Sequence, residues 1–237
     1  MRKNKRGVIA IAGVALLVGL GSTHPMWAQA AAAPYPAMAP IEQYLMESNA
    51  EVALARTAAP PSIAQSAEVM VLGRTGYTTA VKGSNGFVCV VERSWGAATD
   101  EPEFWNPKVR SPICFNAPAA RTFLPIFLMK TKLVLAGKSK AEFLQATASA
   151  LDKKELPALE QGAMCYMLSK QQYLNDRGKS WHPHLMFLIP GDAAESWGAN
   201  LTGSPVIAAN DPEERATIFM VWVGAWSDGS PAPPVAP

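Results

Sequence analysis

The chain has 237 residues, of which 49% are hydrophobic, 17% charged and 8% aromatic, and its formal net charge is +2. That length suits one well-packed domain and lies near the lower limit for two. The low charge and seven Trp exclude a disordered chain, whose few apolar groups could not offset the entropy cost of folding.

Arg2, Lys3, Lys5 and Arg6 precede an apolar run from Val8 to Leu20, and a polar stretch then ends in Ala28-Gln29-Ala30. A basic start, an apolar core and small residues two apart predict a secretory signal peptide over residues 1–30. The run is shorter than the roughly 20 apolar residues that span a bilayer. No stable membrane span is expected after cleavage, and the location is expected to be periplasmic or secreted. Cleavage would leave 17 basic against 19 acidic residues, which excludes a basic surplus for nucleic acid. It would also leave His182 and His184 as the imidazoles.

Residues 31–40 and 229–237 are Ala- and Pro-rich, predicting a flexible linker and a disordered tail around a single domain at 41–228. Apolar positions from Ile41 to Ala58 recur as on one helix face, and Pro60-Pro61 stops that helix. Strands are predicted at Glu68–Leu72, Tyr77–Lys82 and Phe87–Arg93, the last two joined by a Gly83-Ser84-Asn85-Gly86 hairpin. The strand from Phe87 is apolar on both faces and should be central. Four prolines between Asp100 and Pro118 predict a loop. A helix from Ala119 to Ala136 is interrupted at Pro125. A second opens on the capping box Ser139-Lys140-Ala141-Glu142 and should bury Leu144, Ala148 and Leu151.

Strands return at Ala163–Leu168, Leu185–Ile189, Val206–Ala208 and Thr217–Trp226, with a short helix capped at Asp192 and running through Trp197. Strands, then helices, then strands imply an α+β fold with a mainly antiparallel sheet and two or three helices.

Chemistry centres on Ser180-Trp181-His182-Pro183-His184. Side chains alternate along a strand, so His182 and His184 would share a face at an exposed edge or strand entrance. Two imidazoles can hold zinc or copper if Cys165, Glu92 or Asp176 supplies a third ligand. His182, His184 and Cys165 are also the catalytic candidates, as a Cys–His hydrolase with Cys165 as nucleophile, although Cys165 sits in an apolar strand. No Gly-x-Ser-x-Gly elbow is present. Of the three cysteines, Cys89 and Cys114 are the favoured disulfide, the alternative being three reduced thiols. Trp95, Trp105, Trp181 and Trp197 lie at loops or element ends, where they either line a binding groove or seal the sheet. Met164, Met167, Met186 and Met220 read as core filler more readily than as copper ligands. Gly137-Lys138-Ser139 lacks the upstream glycine of a phosphate loop, and Asn200-Leu201-Thr202 is a short glycosylation match without weight.

The blocks Gly86–Trp95, Phe104-Trp105-Asn106-Pro107 and Trp181–Phe187 resemble those of uncharacterised secreted bacterial proteins. That resemblance supplies no catalytic residue. The expected function is an exported binding or structural module with a small ligand or protein partner, the alternative being a periplasmic enzyme using His182 and His184.

Overall fold

The computed structural model describes residues 34–234, so the signal peptide expected at 1–30 lies outside the described residues. Eight strands form one sheet: β1 (Glu68–Gly73), β2 (Gly76–Val81), β3 (Val88–Glu92), β4 (Ser111–Phe115), β5 (Met164–Met167), β6 (His184–Pro190), β7 (Ile207–Asp211) and β8 (Ala216–Trp222). Their order is β2-β1-β3-β4-β5-β6-β8-β7. Only the β1–β3 pair is parallel, so the fold is α+β and mainly antiparallel. Helices α1 (Ser48–Arg56) and α2 (Pro61–Ala64) precede the sheet, and α3 (Ala117–Thr122), α4 (Leu124–Leu135) and α5 (Lys140–Asp152) lie between β4 and β5.

One sheet face carries Val69, Cys89, Val91 and Cys114 beneath Leu54, Ala55 and Ala58 of the α1 region. The other carries Val90, Ile113, Phe115, Cys165 and Leu188 beneath Phe127 and Val134 of α4 and Phe143 of α5. The double-sided apolar strand β3 is interior, as its composition requires, and so are β6 and β8. The capping box is present: Ser139 Oγ accepts from the Glu142 amide, and the Glu142 carboxylate accepts from the Ser139 amide.

Several elements differ from expectation. The first helix is divided: a single 3₁₀ turn at Ile41–Gln43 is followed by α1, because the Glu47 carboxylate caps Asn49 N and Ala50 N and starts a new helix. The β2–β3 hairpin is absent. The hairpin joins β1 to β2, and Gly83 instead crosses the start of β1 so closely that a Cβ there would sit 2.1 Å from Glu68 N. The proline-rich loop contains β4, in which Pro112 lies beyond the β5-paired residues Cys114 and Phe115, so its missing N–H leaves no gap in that ladder. In α5 the buried residues are Phe143, Thr147 and Ala150, while Leu144 is exposed. Asp192 caps no helix; it accepts from Asn210, and a 3₁₀ turn spans Glu195–Trp197.

Parts of the expected linker and tail also make contacts. Met38 and Ala39 pack on the core. Ala232 N donates to Gly224 O at 2.9 Å, and Ala225 bridges Pro231.

Arg93 and Glu51 form an ion pair at 2.9 Å with both side chains fully buried. The guanidinium also donates to the Tyr44 and Val91 carbonyls, and Glu51 Oε1 accepts from Leu72 N. Removing one partner leaves a buried uncompensated charge, so Arg93→Ala should lower unfolding free energy by about 3–5 kcal/mol. Arg74→Ala, which breaks the exposed Arg74–Glu42 pair, should cost about 0–1 kcal/mol. Urea denaturation of the two variants checks the contrast, and equal losses would contradict it.

Cys89 and Cys114 are opposed in the β3–β4 register and form a disulfide, leaving Cys165 as a buried thiol. Alkylation in denaturant without reductant should therefore label one thiol per chain by mass spectrometry, and three labels would refute the bridge. Reducing the bridge should cost about 3.5 kcal/mol, as expected for a sequence separation of 25 residues.

Candidate functional site

The Trp181–His184 segment is held from two sides. Gln172 Nε2 donates to Trp181 O at 2.7 Å, and Val223 N donates to Pro183 O at 3.0 Å. His182 Nε2 lies 3.0 Å from Val223 O, and His184 Nδ1 lies 2.8 Å from His182 O. A carbonyl can only accept, so each of these ring nitrogens carries its proton. In His184, which burial disfavours in its charged form, the other nitrogen therefore holds a lone pair.

The two histidines do meet, but around a residue that sequence reasoning missed. Trp222 is opposite His184 in the β6–β8 register, its ring centroid 5.3 Å from His184 and 5.8 Å from His182. Trp181 packs against His184 at 5.9 Å. His184 stands at the strand entrance, as expected, yet it is 1% exposed and not on an open edge, because β6 lies between β5 and β8. Burial lowers its pKa, which keeps it neutral. Its Nε2 is buried with no hydrogen-bond partner among the described residues. The signal for Trp222 was available in the apolar run of β8, but its register against β6 was not.

The expected third metal ligands are not gathered. Among the described residues no three of His, Cys, Asp and Glu come together to hold an ion. Asp176 is taken by Tyr35, Tyr173 and Lys108. Glu92 is on β3, separated from β6 by β4 and β5. Cys165 pairs with Met186 rather than with His184. Burial, reinforced by Glu92 and Glu214, raises the Cys165 pKa well above the usual thiol range. The thiolate that a Cys–His hydrolase needs is thereby disfavoured.

The tryptophans do not make one platform. Trp95 is fully buried and donates from Nε1 to Thr131 Oγ1 at 3.0 Å, and Trp105 packs edge-on against Phe104. Both seal the core, since a ring of that size at a sheet end removes more apolar area from water than any other side chain. Trp181 and Trp197 are exposed, but Trp197 packs on Phe219, on the opposite sheet face from His184.

That opposite face holds the clearest surface. Beyond the residues under α1 it continues through Tyr166, Leu185, Phe187 and Val221, with Phe187 39% and Val221 45% exposed. A groove of about 470 Å³ adjoins it, lined by Pro60, Tyr166, Leu168, Leu185, Val223 and Trp226. The segment after β8 forms its wall and is pinned by Ser227 N donating to Leu168 O at 2.9 Å.

A buried polar group also went unread. Lys130 Nζ is 2.6 Å from Glu214 and 4.0 Å from Glu213, and it sits near Glu92. Burial, with Glu214 adding to it, raises the Glu92 pKa to about 8. The folded state then binds a proton that the unfolded state releases near pH 4.5, so stability falls as pH rises from there through about 8. Glu92→Gln should flatten that slope and stabilise the protein at pH 9, by about 1.4 kcal/mol for each tenfold of proton affinity involved. Urea midpoints across pH 4–9 measure it; an unchanged slope would contradict the assignment.

No family model matches this chain, and no curated protein or solved structure is similar to it.

Proposed function

We propose that the protein is a non-catalytic exported module that binds a small apolar ligand in the groove beside β6 and β8. The observation that carries this reading is the groove itself. Its volume falls within the range of roughly 300–1,000 Å³ typical of ligand sites, and its lining is mostly apolar, with Gly224, Ser227 and Gly229 completing the wall. Among the described residues no helix covers the sheet face beside it, where Phe187 and Val221 are neighbouring exposed apolar side chains.

Export is supported by the basic-then-apolar N-terminus and by the Cys89–Cys114 disulfide, which persists in oxidising compartments. No described helix is long and apolar enough to cross a membrane. The catalytic alternative has less support: one His182 nitrogen is occupied, His184 is buried, and Cys165 is held as a thiol.

Titration with 1-anilinonaphthalene-8-sulfonate, followed by displacement with decanol, tests the proposal. One saturable site is expected. Leu185→Asp and Val223→Asp should each weaken it at least tenfold, and Arg74→Ala, at the β1–β2 turn away from the groove, should leave it unchanged. Equal binding by all variants, with circular dichroism showing them folded, would overturn the reading.

A further inference from the structure

His184 is the described imidazole with a buried nitrogen that nothing satisfies. Its Nδ1 is committed to the His182 carbonyl at 2.8 Å, which leaves the Nε2 lone pair free inside the protein. Fixing one ring nitrogen on a backbone carbonyl is how proteins orient an imidazole toward a metal ion through the other.

The donors around it are soft. In the β5–β6 register Met167 is directly opposite His184 and therefore on the same sheet face. Directly opposed residues have Cβ atoms about 5 Å apart, within reach of a thioether. Met186, two residues along the same strand, shares that face, and Met220 is opposite Met186 on β8. Met167 is buried, and Met186 and Met220 are partly so. Trp181 and Trp222 flank the imidazole with apolar rings.

We propose that His184 Nε2 and the Met167 thioether, with Met186 on the same sheet face as a further sulfur, form a binding site for Cu(I). Neutral thioethers and one imidazole suit a soft monovalent ion that accepts few ligands. Zinc instead requires four donors and favours thiolate or carboxylate among them. The flanking indoles disfavour a hydrated divalent ion, and binding involves no change of oxidation state. Trp181 is 47% exposed and is the side chain whose displacement would admit the ion. This site lies on the opposite sheet face from the apolar groove, because His184 and Leu185 alternate along β6. The failure of either proposal therefore leaves the other intact.

The test is anaerobic titration of the disulfide-bonded chain with Cu(I), kept reduced by ascorbate, against the chelator bathocuproine disulfonate. The wild-type chain should retain one equivalent, with nitrogen and sulfur scatterers in the copper absorption spectrum. Met167→Leu and His184→Gln should each weaken retention at least tenfold. Cys165→Ser should not change it, and Zn(II) added alone should not bind. Met167→Leu keeps the core volume, so it remains decisive if His184→Gln fails to fold. Full affinity in Met167→Leu, or loss of binding in Cys165→Ser, overturns the proposal.

Discussion

The buried Arg93–Glu51 pair sets where α1 lies on one side of the sheet. Its guanidinium ties the end of β3 to the Tyr44 carbonyl in the lead-in and to Glu51 on α1. Glu51 in turn accepts from Leu72 on β1. A carboxylate and a guanidinium out of water tolerate little displacement, because each lost hydrogen bond strands charge in a low dielectric. Helix α1 is therefore held over β1, β3 and β4. It is only 9 residues long, about 14 Å at 1.5 Å per residue, too short to reach across β6 and β8 as well. Among the described residues, Phe187 and Val221 on β6 and β8 are accordingly left exposed beside the groove.

The other face solves its charge problem differently. Lys130 is almost wholly buried, yet it has Glu214 as a direct partner and the Phe143 ring 5.3 Å from its ammonium. Several carboxylates share this single ammonium, so the balance of the group shifts with the protonation of Glu92. The Arg93 guanidinium is shared between Glu51 and two backbone carbonyls, whereas the Lys130 ammonium is shared among carboxylates, and burial holds one of the nearby ones, Glu92, protonated above the ordinary carboxylate range.

Much of the fold was legible where one physical signal acted alone. Strands β3, β6 and β8 showed as apolar on both faces, and the Ser139–Glu142 box marked the start of α5. Cys89 and Cys114 were the favoured pair on loop length, although their direct cross-strand register was invisible. Legibility failed where two signals competed. Four prolines hid β4, because one missing amide matters only if a neighbour needs it. Gly83-Ser84-Asn85-Gly86 has hairpin chemistry, but an edge strand with exposed Thr78, Thr79 and Ala80 cannot take the central place that β3 fills. The spacing of His182 and His184 suggested a shared exposed face. What buries His184 is Trp222, 38 positions along the chain, and local spacing cannot carry that register.

The free edge of the sheet narrows how a partner could approach. At β7, Asn200 Nδ2 donates to Ala208 O at 2.7 Å and its Oδ1 accepts from Ala208 N at 3.3 Å. One amide side chain thus satisfies both backbone groups of Ala208 that point away from β8, leaving them unavailable to an added strand. Asn200 adopts a positive φ of 62° to do so, a conformation that asparagine tolerates better than most residues. With the ladder closed at that position, the Phe187 and Val221 face offers contact through side chains rather than backbone. Recognition there depends on shape and apolar area, which is the kind of contact that the adjoining groove also provides.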